Sequence, residues 1–139
     1  MKKVVLISCV SKKLPYKSKA QDLYISTLFK LNLKYARSLN PDNIFILSAK
    51  YGLVDLEEEI EPYDKTLNTM PVREIKSWAN DVIEKLKNLI DLNEDKVIFL
   101  AGEKYRKYLI PHIKNYEVPL KSLTIGRQLQ FLTKKLSSE

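Results

Sequence analysis

An α/β fold with a mainly parallel sheet is what this sequence predicts, and three observations carry that reading. Val4-Val5-Leu6-Ile7, Ile44-Phe45-Ile46-Leu47 and Val97-Ile98-Phe99-Leu100 are continuous apolar, β-rich runs, the pattern of strands buried on both faces. The segments between them repeat apolar residues at three-to-four spacing, the mark of amphipathic helices. The second and third runs stop at small residues, Ser48-Ala49 and Ala101-Gly102. Buried strands alternating with helices imply a parallel sheet, and right-handed crossovers put helices on both of its faces. The expectation is a three-layer α/β/α sandwich formed by residues 1–139 as one domain. Its sheet has four main strands in the order 2-1-3-4.

In chain order, the first strand covers Lys3 to Cys9 and is followed by a polar loop from Val10 to Lys19. A helix is predicted from Ala20 to about Leu39, with Leu23, Leu28, Leu31, Tyr35 and Leu39 on its apolar face, stopped by Asn40-Pro41-Asp42. The second strand follows, and then a segment from Leu53 to Thr69 that reads as mostly loop. Pro71 suits the first turn of the next helix, which repeats Ile75, Trp78, Val82, Leu86 and Ile90. After the third strand, a helix is expected from about Glu103 to Lys114, bent or ended by Pro111. Tyr116 to Pro119 is a short fourth strand. Ile125 to Leu136 is the last helix, with Leu129, Leu132 and Leu136 on one face.

The 139 residues are 45% hydrophobic, enough for a real core. No apolar run approaches the roughly 20 residues of a membrane span. The N-terminal run is too short for a signal-peptide core and lacks a small-residue cleavage site, so a cytoplasmic protein with no membrane partner is expected. One cysteine and one histidine make neither an internal disulfide nor a structural zinc site. No metal or cofactor is expected. A net charge of +7 and a pI near 9.4 lean towards nucleic acid or nucleotides as partners. Spread lysines also serve solubility, and nothing sets an oligomeric state.

In an open parallel sheet, ligands bind beyond the carboxyl ends of the strands. Ser48, Lys50, Tyr51 and Gly52 sit at that edge after the second strand. They bring a cation, a flat ring and a backbone able to take φ > 0. After an acidic bend, Glu61-Pro62-Tyr63-Asp64 returns two carboxylates to the same edge. Either carboxylate can hold a water or steady a developing cationic sugar; alternatively, Glu61 pairs with Lys50 and only shapes a pocket. Ser11, Lys12 and Lys13, with Ser8, make a phosphate cradle after the first strand, or a solvated basic loop. That loop lacks the glycines of a Walker A or dinucleotide motif. Cys9 reads as a core residue or a nucleophile, and Tyr16, Tyr24 and Phe29 as core or as stacking rings. Gly102, Tyr105 and Arg106 follow the third strand, and Gly126-Arg127-Gln128 opens the last helix as an anion site. Glu57, Glu58 and Glu59 read as a solvated acidic run.

Six stretches carry a family resemblance: Cys9-Val10-Ser11-Lys12-Lys13, Leu23 to Phe29, Leu47 to Leu53, Glu61 to Asp64, Leu100 to Arg106, and Ile125 to Leu129. Their order resembles the successive motifs of DUF6884, a small prokaryotic and phage family without a settled activity. More loosely, the architecture resembles the uracil-DNA glycosylase superfamily and a domain of archaeosine synthase. The Gly-Gln-Asp-Pro-Tyr motif of those glycosylases and their late histidine loop are absent. Any catalytic acid is therefore sought, on chemical grounds, in Asp64 or Glu61.

The leading expectation is an enzyme acting on a nucleobase or N-glycosidic bond in nucleic acid or a nucleotide. In it Lys12, Lys13, Arg106 and Arg127 hold phosphates, Tyr51 or Tyr63 stacks on the base, and Asp64 acts as base or electrostatic stabiliser. The alternatives are a non-catalytic nucleic-acid-binding module of a modification complex, and a free-nucleotide hydrolase or deoxyribosyl transferase. Lys12, Lys50 and Arg106 are expected around one cleft.

Overall fold

A computed structural model of the chain describes residues 1–8 and 12–137. The elements are β1 (Lys3–Ser8), β2 (Ser18–Lys19), α1 (Ala20–Leu23), α2 (Thr27–Ser38), β3 (Asn43–Ser48), β4 (Gly52–Asp55), β5 (Glu59–Ile60), α3 (Val72–Leu86), β6 (Lys96–Leu100), α4 (Glu103–Arg106), β7 (Asn115–Glu117) and α5 (Ile125–Ser137). The main sheet runs β4-β3-β1-β6-β7. The β3, β1, β6 and β7 strands are parallel, and β4 is antiparallel to β3.

The sheet therefore has five strands rather than four. The extra one comes from the segment read as loop. Gly52, at φ +74°, turns the chain back after Ser48, a backbone state that glycine takes without penalty. Ser48 then pairs with Gly52, and Leu47 with Leu53. A second, two-stranded sheet joins β2 to β5.

Alternate residues of β1 face opposite layers, as a strand requires. Val4 and Leu6 pack with Phe45, Val97, Phe99 and the α3 side chains Ile75, Trp78, Val82 and Leu86. Val5 and Ile7 pack with Ile46, Ile98 and with Phe29, Leu33 and Ala36 of α2 and Leu132 of α5. All four central β1 residues are fully buried, each worth about 1.5–3 kcal/mol of transfer free energy. The sheet is thus covered on both faces, which its continuous apolar runs demand.

Two helices differ from the sequence reading. The span from Ala20 to Leu39 is broken, because Tyr24 is extended and bridges to Lys13. Ser26 then caps α2, its hydroxyl accepting from the Phe29 N–H at 3.2 Å, as N-cap serines do. The buried face of α2 is Phe29, Asn32, Leu33 and Ala36; Leu28, Leu31, Tyr35 and Leu39 are only partly buried. The second difference follows Gly102, where α4 is a single turn. Pro111 lies in a separate 3₁₀ turn, Ile110–His112. Among the described residues no helix is long and apolar enough to cross a membrane.

At the amino edge of the sheet, Asp95 ties two strands together. Its carboxylate accepts from the Asp91 N–H at 2.8 Å and the Lys2 N–H at 2.7 Å. These two bonds, that of Asp91 first, hold its pKa below the ordinary aspartate value.

Candidate functional site

In the main sheet the chain passes from β1 to β3 on one side and later returns to β6 on the other. The carboxyl ends of β1 and β6 thus form a topological switch point, where open α/β sheets leave a crevice. A cavity of about 650 Å³ opens there, within the range of small-molecule sites. Ser8, Leu100 and Ala101 form its sheet side, Phe29 and Asn32 of α2 one wall, and Gln128 and Leu129 of α5 another. The Gly102 N–H donates to Ser8 Oγ at 3.1 Å and ties the two strand ends together. Gly102 has an ordinary negative φ, and a Cβ placed on it meets nothing within 4 Å. Neither space nor backbone conformation therefore requires a glycine at this position. Arg106 also lines the cavity, and its Nη1 donates to the Ala101 carbonyl at 2.7 Å. One of its five N–H donors is thereby used.

A second hollow, of about 510 Å³, is lined by Lys12, Lys13, Leu14, Pro62, Tyr63 and Asp64. Tyr63 organises it. Its hydroxyl shares a hydrogen bond with that of buried Tyr24. The Lys13 ammonium lies 4.5 Å from its ring centroid, a cation–π distance. Tyr51 meets the same ring edge-on at 5.6 Å and donates from its hydroxyl to the Glu61 carbonyl at 3.3 Å. Asp64 is exposed. Ser8 lines the cavity and Lys12 the hollow. Four residues reach at most about 14 Å, so the two depressions are neighbours. On the hollow's side Lys13 pairs with Tyr24, and the Ile25 N–H donates to the Lys12 carbonyl at 3.0 Å.

The predicted site residues therefore fall into groups along one edge. Lys12, Lys13, Tyr63 and Asp64 share the hollow. Gly102 and Arg106 belong to the cavity. Lys50 packs over the Tyr51 ring at 5.3 Å and lines neither depression. Ser48 is buried and structural: its hydroxyl accepts from the Tyr51 N–H at 3.0 Å and its carbonyl from Trp78 Nε1 at 2.8 Å. Among the described residues the ion pairs are Lys19–Glu57, Lys87–Glu84 and Lys96–Glu117, so Glu61 does not pair with Lys50. Gly126 and Arg127 are exposed in the first turn of α5, beside the cavity residues Ile125 and Gln128. Tyr24 and Phe29 are core, and Tyr16 is exposed. Glu57 is not merely solvated: its bond to Lys19 lowers its pKa and raises that of the lysine. Cys9 and Ser11 lie outside the described residues. No group of three or more potential metal-ligating side chains occurs among the described residues.

Asn32 was missed by sequence reasoning. The signal for Asn32 was its spacing, three residues after Phe29 and four before Ala36, which puts an amide on the buried face of α2.

The chain belongs to DUF6884, a family of unknown function, whose model matches residues 4–134. Neither a curated protein nor a solved structure matches it.

Proposed function

We propose that the protein is an enzyme of nucleic acid or nucleotides that acts on a nucleobase or its N-glycosidic bond. The observation that supports this best is the pairing of depressions at the sheet edge. One is a cavity of small-molecule size, lined by Phe29, Leu100 and Leu129 among others; the other is a lysine-lined hollow that Lys12 enters, four residues after Ser8 in the chain. A base enters the first while Lys12 and Lys13 hold phosphate at the second. Arg106 and Arg127 extend the positive rim. Asp64, exposed in the hollow, is the carboxylate assigned to activate water or steady a cationic sugar, and Tyr63 or Tyr51 supplies a ring beside it. In a duplex the base must first be flipped out. The looser likeness to the uracil-DNA glycosylase superfamily and the archaeosine synthase domain points to the same chemistry.

A second reading is a nucleic-acid-binding module without catalysis. It is favoured by one observation: Asp64 lines the hollow and not the cavity. Incubating the protein with labelled single-stranded and duplex oligonucleotides and with free nucleotides separates the readings. Base release supports the enzyme. Salt-dependent binding without release supports the module, and release from free nucleotides alone supports a nucleotide hydrolase. Neither binding nor release from any of these removes the proposal.

A further inference from the structure

Two lysines outside both depressions meet at one ring. Lys76, exposed on α3, places its ammonium 5.5 Å from the Tyr108 ring centroid. Lys107, exposed at the end of α4, places its own at 5.6 Å. Tyr108 is partly buried against the core layer that α3 covers, so packing holds its ring. The carboxylates nearest in sequence, Glu74 and Glu103, pair with neither lysine: the ion pairs among the described residues are Lys19–Glu57, Lys87–Glu84 and Lys96–Glu117. Two ammonium groups at one ring repel each other, and a cation–π contact at an exposed position returns little. An anion lying against both relieves that repulsion. The pair also adjoins the mouth of the switch-point cavity. Lys104 lines that cavity, and its Nζ donates at 3.0 Å to the carbonyl of Asn68, a second lining residue, in the turn before α3. Lys104 precedes Tyr108 by four residues, about 6 Å at the rise of a helix, and the Lys107 N–H still donates to the Glu103 carbonyl at 2.8 Å. A positive strip therefore leads from the cavity mouth onto the surface shared by α3 and α4.

We infer that Lys76 and Lys107, steadied by Tyr108, hold the phosphodiester backbone of a polynucleotide strand where it continues beyond the nucleotide in the site. A chain of phosphates supplies anions at successive points along such a strip. A free nucleotide, with its base in the cavity and its phosphate at Lys12 and Lys13, has none left for it. Tyr108 works as a holder of lysines and not as a stacking platform, because its ring already carries the two cations. Contacts of this kind fix the register of the strand and read no sequence. This rests on the nucleic-acid reading above and deepens it by choosing a polynucleotide over a free nucleotide as substrate.

The test measures binding across a salt series, by calorimetry, together with base release. The probes are long single-stranded oligonucleotides of different sequence, a nucleoside monophosphate and polyglutamate. The proteins are the wild type, the double variant Lys76→Ala with Lys107→Ala, and the double variant Lys76→Arg with Lys107→Arg. In the alanine variant the salt slope for the oligonucleotides is expected to fall by about 1.4, the counterion release of two single-strand phosphates, and alike for every sequence. Its affinity for the monophosphate should equal that of wild type, and the arginine variant should keep the wild-type slope. Tyr108→Leu keeps an apolar side chain against the core and should weaken oligonucleotide binding about two- to fivefold, the scale of one exposed cation–π contact. Tyr108→Phe, which keeps the ring, should bind as wild type and serves should the leucine variant misfold. An oligonucleotide slope unchanged in the alanine variant overturns the inference, and base release by the wild type then leaves the enzyme reading standing. Equal losses for oligonucleotide and monophosphate overturn it too, since the lysines then act on the site itself. Polyglutamate bound as tightly as the oligonucleotides, with the same loss in the alanine variant, overturns it in favour of an acidic protein partner. The expected fall in slope without base release from any substrate keeps the inference and removes the enzyme reading. A wild type that binds neither oligonucleotide nor monophosphate removes both.

Discussion

The two depressions at the carboxyl edge of the sheet are neighbours made of opposite materials. The cavity has an apolar core side, with Phe29 and Leu100 at most 1% exposed, and the charged residues Glu103, Lys104 and Arg106 also line it. The hollow is formed by loop residues, with two lysines, a carboxylate and a tyrosine around it. A ring can be desolvated in the first, while phosphate can keep much of its water in the second. The contrast suggests a division of labour for the proposed function: a shaped apolar wall belongs to the packed layer between β1, β6 and α2, and the charged groups of the hollow to loops that packing constrains less.

The largest effect that tests this division is expected at Asp64. Asp64→Asn keeps the shape and removes the charge, and turnover should fall by roughly two to four orders of magnitude. Nucleoside affinity and melting temperature should stay as in wild type. A fully active, folded variant takes Asp64 out of the mechanism, and a loss of base affinity instead merges the two depressions into one.

A smaller effect concerns charge. Lys13→Ala and Arg127→Ala should each lower the salt slope of nucleic-acid binding by about one unit, with similar losses across sequences. Slopes unchanged in both variants make the basic surface mere solvation. A fall in the Lys13 variant alone confines the phosphate path to the hollow and leaves the start of α5 outside it.

Stability is expected to move less. Tyr63→Phe removes the hydroxyl that bonds to Tyr24, the link between hollow and core. It should cost about 1 kcal/mol in denaturant unfolding, and no change at all would show the hollow to be independent of the core.

The opposite edge of the sheet supplies a control. Asp95 has a folded pKa below its unfolded one, so its contribution is complete above about pH 4 and is lost as pH falls from there towards the folded value. Melting temperature recorded between pH 3 and 6 should therefore decline more steeply at the acid end in wild type than in Asp95→Asn. Parallel curves would mean that the two N–H bonds do not persist in solution.

Strands buried on both faces announce themselves, which is why β1, β3 and β6 were legible as apolar runs. β4 was not, because Leu53-Val54 is a two-residue run whose pairing depends on the turn at Gly52. The edge location of the site was legible from where the runs end. Its division was not, since the Lys13–Tyr24 bridge beside the hollow uses an extended residue inside a segment whose spacing reads as one helix. Asn32 was hidden for a related reason. The periodicity favoured the leucines at 28 and 31, and an asparagine beside them reads as the wet side of a helix until tertiary packing turns it inward.

The chain has a single tryptophan, and its position has an optical consequence. Trp78 is 7% exposed, bonded through Nε1 to the carbonyl at the end of β3, and edge-on to Tyr105 at 5.7 Å. Tyr105 in turn lines the switch-point cavity. Excited beyond the tyrosine absorption band, the unlabelled protein therefore emits from one indole, one ring away from the cavity. A ligand that shifts Tyr105 or the end of β3 alters its colour or yield, and the signal is assigned without deconvolution. The fold carries its own fluorophore for every titration named above, with Trp78→Phe as the dark reference.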